Sequence, residues 1–94
     1  MSAAFIPLKK KYFEQFRDGK STVEYRRYGP RWKEDLFPRG RKVILSCGYS
    51  GSRIYAETIK SIKINSSDVT GEDGVSVLEI WGRDVDLLAI YLII

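Results

Sequence analysis

The stretch Asp18-Gly19-Lys20-Ser21-Thr22-Val23-Glu24-Tyr25-Arg26 holds the change from helix to strand on which the reading of the whole chain turns. Before it, Tyr12, Phe13 and Phe16 recur at helical spacing over residues 11–18. Gly19 follows as the stop, because glycine accepts the left-handed conformation that ends a helix. After it, residues 21–28 read as a strand. On that strand Thr22, Glu24 and Arg26 lie two apart and share one face, with Val23 and Tyr25 on the other. A hydroxyl, a carboxylate and a guanidinium in a row, with Lys20 at the helix–strand turn, describe a polar site and not a core strand.

Upstream, Phe5-Ile6-Pro7-Leu8 reads as a short first strand, with Pro7 near its edge. Downstream, Gly29-Pro30 turns the chain, and Pro30 suits the first position of a helical turn through Leu36. Phe37-Pro38 ends it. Val43-Ile44-Leu45 centres a buried strand over residues 42–47, Gly48-Tyr49-Ser50-Gly51-Ser52 is a turn, and a strand returns over residues 53–64. In that strand Ile54 and Ala56 fall on one parity, Ile59 on the other, and Ile62 and Ile64 on the first again, so a bulge is expected near Thr58. Residues 65–74 read as a polar loop. Residues 75–81 read as a helix capped by Gly82, since Val77, Leu78 and Trp81 recur at helical spacing; alternation of Val75, Val77 and Glu79 also fits a strand. Residues 88–94 are a nearly all-apolar strand, suited to burial on both faces.

These elements predict an α+β fold: a small mixed β-barrel with one or two short helices flanking a cleft. Connections are too short for several βαβ crossovers. At 94 residues the chain is read as one domain, residues 1–94, with a single core. Cys47 is alone, which excludes an intramolecular disulfide and points to a reducing, cytoplasmic setting; it reads as a small buried hydrophobe. Neither a signal peptide nor a bilayer-spanning helix is evident, so no membrane association is expected, and the Asn65-Ser66-Ser67 sequon is read as coincidental.

The absence of histidine removes Ser-His and Cys-His mechanisms and the usual zinc sites. Asp68, Glu72, Asp73, Asp84 and Asp86 lack the alternating spacing of a calcium loop and read as solvated turn residues, so no metal and no cofactor is expected. Net charge is +4, unevenly spread: residues 1–47 hold twelve Lys/Arg against five Asp/Glu, and residues 48–94 hold four against seven. A basic first half suits an anionic partner such as RNA, a nucleotide or an acidic protein; the plain alternative is a solvated basic surface.

Gly19-Lys20-Ser21-Thr22 imitates the end of a phosphate-binding loop, but Glu14 stands where that motif needs its first glycine, and the helix comes before the loop instead of after it. Lys9, Lys10 and Lys11 crowd a helix start, where anions are preferred; a docked anion or simple solvation accounts for them. Tyr25, Arg26, Arg27, Tyr28, Arg31, Trp32 and Lys33 interleave aromatic and cationic groups, the mixture that stacks bases and pairs phosphates. Within it Trp32 is alternatively a core plug, Tyr49 alternatively a hairpin aromatic, and Glu24 with Arg26 alternatively an exposed salt bridge.

Phe5-Ile6-Pro7-Leu8-Lys9, Tyr12-Phe13 and the run from Gly19 to Arg26, with its G-x-K-x-x-E-x-R pattern, resemble the opening of the ASCH domains of the PUA-like superfamily. Pro30-Arg31-Trp32, Val43-Ile44-Leu45 into Gly48-Tyr49, and Ile80-Trp81-Gly82 resemble a bacterial and phage branch of it. The resemblance implies a cleft beside the second strand for RNA or a nucleotide-like ligand. One branch of the family deacetylates a modified cytidine with a Lys, a Thr and a Glu, and another is reported to cleave RNA. Here the lysine of the deacetylating branch falls at Ser21, with Lys20 one place early, and its threonine falls at Glu24.

The expected function is therefore RNA or nucleotide binding through Lys9, Lys20, Glu24, Arg26, Arg31, Trp32 and Tyr49. If the chain is instead a metal-independent hydrolase of a modified nucleoside or RNA, Thr22 is its nucleophile or water orienter, Lys20 its base or oxyanion partner and Glu24 its proton carrier. The third reading is a protein-interaction module of phage or bacterial origin.

Overall fold

Two apolar runs organise the molecule, Val43-Ile44-Leu45 and Leu87-Leu88-Ala89-Ile90. In the computed structural model, which describes residues 2–49 and 51–94, each lies on a strand next to the central strand of one mixed sheet. The elements are β1 (Ala4–Leu8), α1 (Lys10–Arg17), β2 (Val23–Arg27), β3 (Lys42–Cys47), β4 (Arg53–Asn65), α2 (Gly71–Trp81) and β5 (Asp86–Ile93). The strand order is β1-β3-β4-β5-β2, with β1 parallel to β3 and the other pairs antiparallel. The order makes the first two strands of the chain the two edges of the sheet. The sheet curls until those edges approach: the Arg26 Nη2 on β2 donates to the Pro7 carbonyl on β1 at 2.8 Å. The result is a half-barrel, open along one seam, with two helices.

One face of the sheet turns into the core, where Ile6, Leu8, Val43, Leu45, Ala56, Leu88, Ile90 and Leu92 pack with Phe13 and Phe16 of α1 and with Phe37. On β5, Leu87 and Ala89 face the other way and are buried as completely as Leu88 and Ile90. This is the side on which α2 covers the sheet, and it explains an apolar run with no polar alternation.

The bulge expected near Thr58 is present. Thr58 pairs with Leu92 and Lys60 with Tyr91, so Ile59 is the extra residue, and it is exposed. The extra residue switches parity, so Ile54 and Ala56 face the core beside Leu45 and Val43, while Ile62 and Ile64 lie on the other face opposite Ala89 and Leu87.

Other expectations are corrected. The helical turn from Pro30 to Leu36 is only a 3-10 turn at Glu34–Leu36. Gly29 and Trp32 exchange both main-chain hydrogen bonds, at 3.0 and 3.2 Å, which folds Pro30-Arg31 into a tight turn first. The polar loop 65–74 is mostly structured: Ser66–Asp68 forms a 3-10 turn, and α2 begins at Gly71. The polar side chains make that possible. Asn65 Oδ1 accepts from the Ser67 N–H, and Ser66 Oγ and Ser67 Oγ accept from the main chain of Val85 and Asp84. Residues 75–81 are helical, as the spacing favours, and Gly82 ends α2 at φ +80°. Cys47 is half-buried, not buried, because it closes β3 at the rim. Of the expected turn at residues 48–52, Ser50 lies outside the described residues.

Candidate functional site

A cleft of about 520 Å³ lies along the seam, between α1 and the end of β1 on one side and α2 on the other, with β2 between them. Its position follows from the sheet order. As an edge strand β2 has a partner on one side only. The Thr22 carbonyl accepts from the Leu92 N–H at 2.8 Å, and the Tyr28 N–H donates to the Asp86 carbonyl at 3.0 Å. The even-numbered residues therefore spend their main-chain groups on β5, and those of Val23 and Tyr25 turn to the open side.

Glu24 is the centre of the site. Its Oε1 accepts from the Tyr25 N–H at 3.1 Å, so the carboxylate folds over the strand edge and satisfies an outward main-chain donor. Its Oε2 accepts from Arg26 Nε at 3.3 Å and Nη2 at 3.1 Å. Removal from water pushes the Glu24 carboxyl above the ordinary value of 4.5; the charge and hydrogen bonds of Arg26, and the Tyr25 N–H, pull the other way and do not cancel the rise. Arg26 in turn lies 4.9 Å from the Trp32 ring, which stacks on Phe37 at 5.5 Å and 9°. Core, tight turn, β2 and β1 are thus joined through one guanidinium.

Tyr25 ties the second wall. Its hydroxyl donates to Asp73 Oδ2 on α2 at 3.2 Å. Burial, then the Asp73 charge, raises its pKa well above the ordinary value of 10, so the hydroxyl stays protonated as a donor. The remaining surface is largely apolar or aromatic: Tyr12 and Phe16 from α1, Val23 from β2, and Val77, Ile80 and Trp81 from α2.

Of the residues expected to bind, Lys9, Glu24, Arg26 and Tyr49 line the cleft. Lys9 is the N-cap residue of α1, exposed at the rim, in a helix start with neither a side-chain cap nor an acidic residue in its first turn. Tyr49 is 81% exposed and lies 6.4 Å from the Phe5 ring. Trp32 lies behind Arg26, packed against the core, where it supports the site without lining it. Arg31, at the tip of the tight turn, and Lys20 are exposed and outside the lining, as is Thr22. Of Thr22, Lys20 and Glu24 only Glu24 lines the cleft, and the serine hydroxyls on its wall are those of Ser21 and Ser76.

Sequence reasoning missed the contribution of α2. Asp73, Val77, Ile80 and Trp81 share one helical face only once the helix starts as early as Gly71. That spacing was the available signal. Among the described residues no group of three or more His, Cys, Asp or Glu side chains is arranged to hold a metal ion, and no helix is long and apolar enough to cross a membrane. No protein-family model, curated protein or solved structure matches the chain.

Proposed function

We propose that this chain is a PUA-like binding module of the ASCH type, taking a nucleotide, free or within single-stranded RNA, in the cleft beside β2. One observation carries the reading: a single buried carboxylate, Glu24, held by Arg26 in a cleft whose remaining surface is largely apolar and aromatic. A planar heterocycle buries its faces against such walls and presents polar atoms only at its edge, where Glu24 waits. The phosphate of the same ligand stays at the rim, near Lys9 and the exposed Lys10 and Lys11, beside the uncapped N–H groups of α1. Within the cleft Lys9 and Arg26 are balanced by Glu24 and Asp73, so base recognition and not phosphate trapping dominates. Binding is favoured over hydrolysis because Lys20 and Thr22 lie outside the lining of the cleft.

Fluorescent single-stranded RNA, the matching DNA and free nucleotides, titrated at low and moderate salt, test the reading. The expected result is binding that weakens with salt, as rim phosphate contacts release counterions, and that falls in both Lys9→Ala and Glu24→Gln. Absence of binding to all of these ligands overturns it. Binding that neither substitution changes places the ligand elsewhere on the basic surface and overturns the site.

A further inference from the structure

The hydrogen-bonding groups around the cleft are unequally spent. Most of its strong donors on β2 are spent internally: the Tyr25 N–H and two Arg26 nitrogens go to Glu24, Arg26 Nη2 also goes to Pro7, and the Tyr25 hydroxyl goes to Asp73, which leaves Arg26 Nη1. Acceptor capacity is left over. Each carboxylate oxygen accepts about two hydrogen bonds. Glu24 Oε1 receives one and Asp73 Oδ2 receives one. The outward carbonyls of Val23 and Tyr25 add to the same wall, with the Val23 N–H as the main-chain donor beside them. The side-chain donors of Lys9, Gln15 and Ser21 stand on α1 or in the turn that follows it.

We infer that the β2–α2 wall selects a base by the donors on its edge, and that the cleft prefers a guanine-type base, which offers adjacent ring N–H and amino donors, over uracil, which offers a single N–H between two carbonyls. The inference rests on the nucleotide-binding reading and sharpens it. A guanine edge places one acceptor and two neighbouring donors against a wall where the carboxylates of Glu24 and Asp73 and two outward carbonyls stand beside the donors of the Val23 N–H, Arg26 Nη1, Ser76 and Trp81. Uracil in the same position sets a carbonyl oxygen against the carboxylate, a pairing in which neither atom donates. The α1 side, with Lys9, Gln15 and Ser21, is then left for the ribose and phosphate.

Calorimetric titration of guanosine, inosine, adenosine, cytidine and uridine decides the matter. Inosine keeps the ring N–H of guanosine and lacks its amino group, so it isolates one donor. Two donor contacts to this wall, one of them to Glu24 Oε1, discriminate by roughly tenfold or more. The expected order places guanosine at least about tenfold tighter than uridine, with inosine between them, and Glu24→Gln, checked for an unchanged melting profile, collapses the difference. Equal affinities for the nucleosides, or uridine bound best, overturn the inference while leaving the nucleotide-binding reading intact. A guanosine preference undiminished in a folded Glu24→Gln variant overturns the assignment to this wall. Failure of every nucleoside and of RNA alike overturns both.

Discussion

Replacing Arg26 by methionine tests how the site is held together. Methionine keeps much of the side-chain volume but removes both contacts to Glu24 Oε2, the 2.8 Å bond to the Pro7 carbonyl and the cation over Trp32. Glu24 remains, with its side chain 12% exposed, beside a partner that was 26% exposed. Removing one member of a buried pair costs about 3–5 kcal/mol, and partial exposure of the arginine sets the expectation at the lower end, about 3 kcal/mol at neutral pH. For a domain of this size that is roughly a 15 °C fall in melting temperature, and at about 0.05–0.15 kcal/mol of stability per residue the variant still folds.

The pH dependence carries the sharper test. A carboxyl whose folded-state value lies above 4.5 contributes stability that is fully present below that value and is lost as pH rises through the folded value. Without Arg26 the Glu24 carboxyl moves further up, so the Arg26→Met penalty is largest near pH 8 and shrinks toward pH 5. The double variant Glu24→Leu/Arg26→Met carries no buried charge and recovers most of the loss. Urea unfolding at both pH values, followed by far-UV circular dichroism, reads all three effects. A penalty below about 0.5 kcal/mol, one equal at both pH values, or a double variant as unstable as the sum of its parts refutes the reasoning.

Thr58 is 1% exposed and its hydroxyl finds no partner among the described residues, so Thr58→Val is expected to stabilise the protein by about 1 kcal/mol in urea melts; a loss means the hydroxyl is satisfied. Gly74 is buried in α2, and a Cβ there meets the Val69 carbonyl oxygen at 2.3 Å, so Gly74→Ala destabilises by about 1–3 kcal/mol despite alanine's better helix propensity, and a stabilised variant contradicts that close approach. Tyr25→Phe removes the link from β2 to α2; hydrogen exchange is expected to quicken in α2 while β3 and β4 stay protected, and uniform protection means the bond does not hold the helix.

Strand periodicity made much of the architecture legible. The parity break across Ile54, Ala56, Ile59, Ile62 and Ile64 located the bulge, and the apolar run of β5 announced burial on both faces. Glu24 and Arg26, two apart on one face, both line the cleft, whereas Thr22 on the same face does not. Trp32 was ambiguous because an aromatic beside arginines serves stacking or packing equally well, and only the ring of Phe37 behind it decides for packing. Lys20 and Thr22 are adjacent to the site in sequence and outside its lining, since both side chains are exposed even though the Thr22 carbonyl already bonds to β5. The start of α2 was hidden by the Ser, Asp, Gly and Thr residues of 65–74, whose local hydrogen bonds favour turns until tertiary contacts fix them.

The placement of β1 and β2 at opposite margins also orders events in time. β3, β4 and β5 follow one another as an antiparallel series, whereas β1 reaches its parallel partner across nearly half the chain and β2 joins β5 over a still longer stretch. Loop-closure entropy favours the local series first, so the margins, and the seam between them, assemble late. A site built on late-forming margins owes its lifetime to the unfolding barrier. Substitutions at Glu24 or Arg26 then accelerate unfolding and leave the folding rate nearly unchanged, which stopped-flow chevron plots distinguish from a slowed folding limb.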